Sequence, residues 1–376
     1  EDKIYNAVDS FVANPSGKSL EKLELQEKSF NPKSKPELLA LVILNCNKAY
    51  YQNQFGQTHK AIESYEKAWQ MFQKNKLSNY DITESCLKPL GNLYTIFGDY
   101  DNAENVIKQY YYIASAQNNQ ANTFASVLNL SSVYYASGKN REAIQLLEKT
   151  IALEKLSDSQ KGLLWNNLGN NYLVLNNRTK AGNCYENSIK LLKNSSESQA
   201  LANAYRNAAL INNDLNSFLA AKEKFLQEKG NSIRMIAKFY YDEAFLNYQN
   251  NKIEEAQKVL HELFKIVLPN YSKTKLPDKF SLYAETTLLD ALDLQAAIFL
   301  AENQPQKALE SYSLAFHIES LFKSILVYEN SKIILQIRNR NRTEKCIDIY
   351  ASLYQKEHNI SYIESAFLLA EETKSA

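Results

Sequence analysis

Trp165-Asn-Asn-Leu168-Gly169-Asn-Asn-Tyr172, followed by Ala181 and Tyr185, is the stretch whose reading decides the fold of this chain. Residues three, four and seven apart share one face of an α-helix, so Trp165, Leu168, Gly169 and Tyr172 form a single stripe. Gly169 falls in mid-helix, where glycine costs roughly 1 kcal/mol against alanine. A glycine in that place implies that something must come close, and the expectation here is a second backbone. Ala181 offers the same clearance on the next helix, while Trp165 and Tyr185 fill the space around the contact. The stretch therefore predicts two helices nested tightly against each other.

The same marks recur along the chain. A small residue stands at Ala61, Ala103, Ala143, Ala181, Ala221, Ala256, Ala308 and Cys346, and four positions later come Tyr65, Ile107, Leu147, Tyr185, Phe225, Leu260, Tyr312 and Tyr350. Steps between the small residues are 42, 40, 38, 40, 35, 52 and 38 residues. Gly56, Gly98 and Gly138 stand five positions before their alanines and Asn176 does so before Ala181, as left-handed caps between paired helices. This pattern resembles the tetratricopeptide repeat, whose basic unit is about 34 residues, so helices here should run about one turn longer. The resemblance implies an all-α, right-handed superhelical solenoid of antiparallel helix hairpins, with the first helix of each unit lining a concave groove.

Composition agrees with a folded helical chain. Apolar residues make up 45% and charged ones 23%, while only nine glycines and seven prolines occur in 376 residues, fewer than strands and hairpin turns ask for. A net charge of +1 leaves no global field to attract nucleic acid, and no apolar run reaches the roughly 18 residues that a membrane span needs. Cys46, Cys86, Cys184 and Cys346 have no metal spacing and read as small buried apolar residues. Four scattered histidines, His59, His261, His317 and His358, form no nucleophile–base constellation, and no phosphate loop or calcium loop is present. The expectation is a non-catalytic protein without cofactor or metal.

Three segments are expected: a capping hairpin over 1–30, an array of about eight hairpins over 36–357, and a C-terminal helix over 358–376. In the first, Asn14-Pro15-Ser-Gly17 is the turn. Leu268 to Pro277 is a longer connection within the 52-residue step. The last helix places Ile363, Ala366, Phe367 and Ala370 on one face. Its sequence Ala366-Phe367-Leu-Leu-Ala370-Glu371-Glu-Thr-Lys374-Ser-Ala376 resembles the Ala-Phe-x-x-Ala-Glu-x-x-Lys-Ala linker of bacterial TPR-CHAT proteins, with one inserted small residue. That resemblance implies that a caspase-like effector domain follows in a longer protein, and that any protease activity belongs there. A chain beginning at Glu1 without methionine reads as processed or trimmed, which tilts an otherwise unknown location towards export.

Binding is expected in the groove. Beside the packing stripes of the first helices lie Lys88, Asn92, Asn129, Asn166, Asn170 and Arg206, candidates for holding a protein or peptide. The set resembles part of the carboxylate clamp of tetratricopeptide cochaperones, although Leu163 and Asn167 stand where that clamp has two cations. Arg338-Asn-Arg340-Asn-Arg342 is the densest basic cluster and reads as a solvated turn. Functionally the pattern suits a protein- or peptide-binding scaffold that regulates a C-terminal effector. The alternative is a peptide-sensing module of a kinase or transcription regulator.

Overall fold

A computed structural model describes residues 1–153, 155–228, 230–268, 270–272, 276–325 and 329–374, with 324, 325, 329–338 and 374 described by backbone alone. The described residues form α-helices joined by short turns, with one π turn (Thr83–Leu87) and one 3-10 turn (Lys279–Ser281). They divide into two compact units, Glu1–Lys139 and Asn140–Ala376.

In the first unit, α1 (Asp2–Val12) and α2 (Gly17–Glu27) make the starter hairpin, and Ser16 caps α2 through a reciprocal box with Ser19. Ile4, Phe11, Leu20 and Leu23 pack under it against Leu41 and Leu44. Next come α3 (Lys35–Gln54) and α4 (Thr58–Lys74), then α5 (Lys88–Phe97) with α6 (Tyr100–Ala116), and α7 (Gln120–Ala136). The second unit holds α8 (Asn140–Ile151), the pair α9 (Asp158–Val174) and α10 (Arg178–Leu192), the pair α11 (Ser198–Asn212) and α12 (Leu215–Gln227), and the pair α13 (Ile233–Gln249) and α14 (Ile253–Val267). It ends with α15 (Thr286–Ala301), α16 (Pro305–Ile325), α17 (Glu329–Glu357) and α18 (Ile360–Lys374). Most helices touch mainly their neighbours in sequence, as expected of stacked repeats.

The expected caps are present: Gly56, Gly98 and Gly138 have φ of 75–76° and Asn176 has 60°. Asn118, Asn213, Asn251 and Asn303 adopt the same left-handed conformation after their helices. These asparagines correct the register in one place. Five residues after Asn213 comes Phe218, fully buried, not Ala221. Phenylalanine has taken the slot that is small elsewhere, and cap-to-cap steps become an even 37 and 38 residues in place of 40 and 35.

Two further expectations change. Arg338 to Arg342 lies inside α17 and not in a turn. Asparagine–arginine alternation favours a turn locally, but Arg342 is buried and bound to Asp293 at 2.7 and 2.8 Å and to Glu319 at 2.5 Å, and this long-range pairing holds the helix. The face of α18 also differs. Tyr362 and Leu369 pack inward, while Ile363 and Phe367 are exposed. All four cysteines are buried and unpaired. Part of the Leu268–Pro277 connection (269 and 273–275) and residues 375 and 376 lie outside the described residues.

Candidate functional site

Gly169 makes room for a side chain, not for the backbone that its place in the stripe predicts. A Cβ on Gly169 would meet the ring of Tyr185 at 2.6 and 2.8 Å. The fully buried Tyr185 ring therefore crosses the bare backbone of α9, and its hydroxyl donates to Asn170 Oδ1 at 2.8 Å. Leu168 and Ala181 are buried beside it, whereas Trp165 and Tyr172 are only half-buried. Tyr172 donates to Glu148 on α8 at 2.5 Å and carries Lys180 over its ring. Burial, with help from Glu148, pushes the Tyr172 hydroxyl up to about 12.

From Asn170 a polar row crosses the first helices of three successive repeats. Asn207 on α11 donates through Nδ2 to Asn166 Oδ1 at 3.0 Å and to Asn170 Oδ1 at 3.1 Å. Its own oxygen accepts from Arg206 at 2.9 Å. Arg206 in turn is ion-paired with Asp242 on α13 and lies over the ring of Phe239. Arg206 and Asp242 are 8% and 5% exposed, so this pair is a buried strut and not a free cation. Beside it, Lys222 from α12 pairs with Glu243 and sits 3.1 Å from the centroid of the Tyr240 ring. Burial lowers the Lys222 pKa, and Glu243 offsets part of that shift.

Of the six groove residues predicted from sequence, this row joins Asn166, Asn170 and Arg206. In the first unit Lys88 is engaged by Glu84 at 2.7 Å, Asn92 is exposed, and Asn129 is half-buried with no hydrogen-bond partner for Nδ2. The sequence reading misses Asn207 and Asp242, because an asparagine and an aspartate in mid-helix give no local sign of partners 36 to 41 residues away. Among the described residues no group of three His, Cys, Asp or Glu side chains could hold a metal ion. No described helix is long and apolar enough to cross a membrane.

A tetratricopeptide-repeat signature matches residues 126–159. Among solved structures, the apo quorum sensor NprR from B. thuringiensis matches over 80% of this chain and 81% of its own, with 15% identity and a TM-score of 0.58. A Rap protein complexed with competence and sporulation factor matches over 100% and 97%, with 9% identity and a TM-score of 0.56. Apo RapI matches over 100% and 96%, with 10% identity and a TM-score of 0.52. The fold is that of a tetratricopeptide-repeat protein. At these identities the likeness speaks for the helix-hairpin architecture alone. The matched repeat, running from α7 into the start of α9, precedes the Trp165–Tyr185 stretch by one unit. No relative of this chain is found among curated proteins.

Proposed function

We propose that this chain is a non-catalytic regulatory module that captures a peptide or an extended protein segment along α9, α11 and α13. The observation that carries the reading is the row Asn166–Asn170–Asn207–Arg206–Asp242. Asn207 occupies the oxygens of Asn166 and Asn170, which leaves their amide NH2 groups as the donors a ligand carbonyl would meet. Held by a buried ion pair, those donors are positioned before any ligand arrives, so little ordering entropy is lost on binding. Lys88, Asn92 and Asn129 would serve a ligand of the first unit in the same way, Lys88 after release from Glu84.

What such a module controls has two readings. The Ala366-Phe367-x-x-Ala370-Glu371 helix favours a caspase-like CHAT effector in a longer protein. Likeness in fold to a quorum sensor and to a Rap protein bound to competence and sporulation factor favours a peptide sensor in signal transduction. The gene beyond Ala376 separates them, since a caspase-like domain with its His–Cys dyad supports only the first.

Capture is tested by panning the purified chain against a random twelve-residue peptide library. Enriched peptides should bind the wild type and lose at least tenfold in Asn166→Ala/Asn170→Ala while the variant keeps its helical melting transition. Equal binding by the folded double variant would remove this face from the function.

A further inference from the structure

A cavity of about 470 Å³ opens between α16, α17 and α18, away from the Asn166–Asp242 row. Its walls are partly apolar, with Leu309 and Phe316 from α16 and Leu368 and Leu369 from α18. Glu319 and Asn339 line it too. Both are buried, at 1% and 8% exposure, yet Glu319 Oε2 and Asn339 Oδ1 have no hydrogen-bond partner. Buried polar atoms are nearly always satisfied, so two unsatisfied acceptors in one pocket need a reason.

The charges around Glu319 give the reason its sign. Arg342 is shared between Asp293, which holds it by two hydrogen bonds, and Glu319, which meets it at 2.5 Å without hydrogen-bond geometry. Lys323 and Glu372 also line the cavity, so three carboxylates, Asp293, Glu319 and Glu372, meet two cations, Arg342 and Lys323, and one negative charge is left over. Burial raises the Glu319 pKa even against the pull of Arg342, with Asp293 adding to the rise and Lys323 opposing it. The cavity thus has an acceptor-rich, undercompensated floor below apolar walls, and its volume is in the range of small-molecule sites.

We propose that this cavity binds a small ligand carrying a primary amine or guanidinium on an apolar stem. The cationic head donates to Glu319 and Asn339, and the stem lies between Phe316 and Leu369. A donor of this kind satisfies both orphan acceptors and supplies the missing positive charge in one step. A carboxylate or phosphate would add to the excess negative charge and is disfavoured, even with Lys323 in the wall. The site is separate from the groove reading and stands or falls independently of it.

Isothermal titration of the full chain with 4-phenylbutylamine, and with neutral 4-phenylbutanol of the same shape, tests the assignment. The amine should bind saturably and at least tenfold more tightly than the alcohol. Glu319→Gln should remove that preference, and Leu369→Trp, which fills the cavity without touching the ion pairs, should abolish binding of both. Asn166→Ala/Asn170→Ala should leave it unchanged. No saturable amine binding by the wild type, equal affinity for amine and alcohol, or amine binding that survives Leu369→Trp would each overturn the proposal. The comparison of amine and alcohol uses the wild type, so it decides even if Glu319→Gln fails to fold.

Discussion

Tyr185 over Gly169 is the contact in which repeat packing and the candidate site become one feature. Alanine is the better helix former by about 1 kcal/mol, so Gly169→Ala on an isolated helix would stabilise. Here the added Cβ would lie 2.6 Å from a fully buried ring. Overpacking of that kind costs typically 1–3 kcal/mol, and after the helix-propensity gain the expected result is a net loss of about 1–2 kcal/mol, read from a lower urea midpoint at unchanged slope. Tyr185→Phe should cost about 1 kcal/mol for the hydrogen bond to Asn170. In the Gly169→Ala background, where the ring is already displaced, its further cost should fall towards zero. Additive losses would mean that glycine and tyrosine act separately. The spacing of Gly169 and Tyr185 was legible in sequence, but their mode of meeting was not. A helical wheel assigns faces and leaves open whether a backbone or a ring crosses them.

At the scale of the element, the helix ends were more legible than the helix contents. Glycine and asparagine are the residues that reach the left-handed region at low cost, so Gly56, Gly98, Gly138 and Asn176 could be read from position alone. Asn213 went unread because Ala221 supplied a plausible small residue nearby, although its own φ is 52°. If Asn213 fixes that register, Asn213→Gly should leave thermal stability within a few tenths of a kcal/mol, while Asn213→Val should lower it by about 1–2 kcal/mol. Equal effects of the two substitutions would show that the cap is not what terminates α11. α17 shows the opposite limit. Its Asn-Arg-Asn-Arg run is a turn by local preference, and only Asp293 and Glu319, 49 and 23 positions away, make Arg342 a core residue. The polar row was half legible for the same reason: composition marks a polar face, and long-range partners decide which members are struts.

Across the whole molecule, helices that touch mainly their sequence neighbours should respond to damage locally, and Glu27 allows that to be tested with a pH lever. This α2 carboxylate is buried and takes Lys48 from α3 as well as Lys67 from α4 at 2.6 Å, so it ties the starter hairpin to the first repeat. Burial alone would raise its pKa, but the two ammonium groups hold it below the usual carboxylate range. A depressed folded-state pKa gives stability that is present above the ordinary value near 4.5 and is lost as pH falls through the lowered one. Glu27→Gln should therefore cost about 3 kcal/mol in the N-terminal helices at pH 7, since Lys48 is left buried without its partner. The gap from wild type should close as the pH drops below the usual carboxylate range. In hydrogen exchange at pH 7, lost protection should be confined to α1–α4, and amides of α9 and α10 should exchange as in wild type. Uniform loss through α10 would mean that the chain unfolds as one cooperative body, and the tie between the starter hairpin and the first repeat would then matter to every repeat.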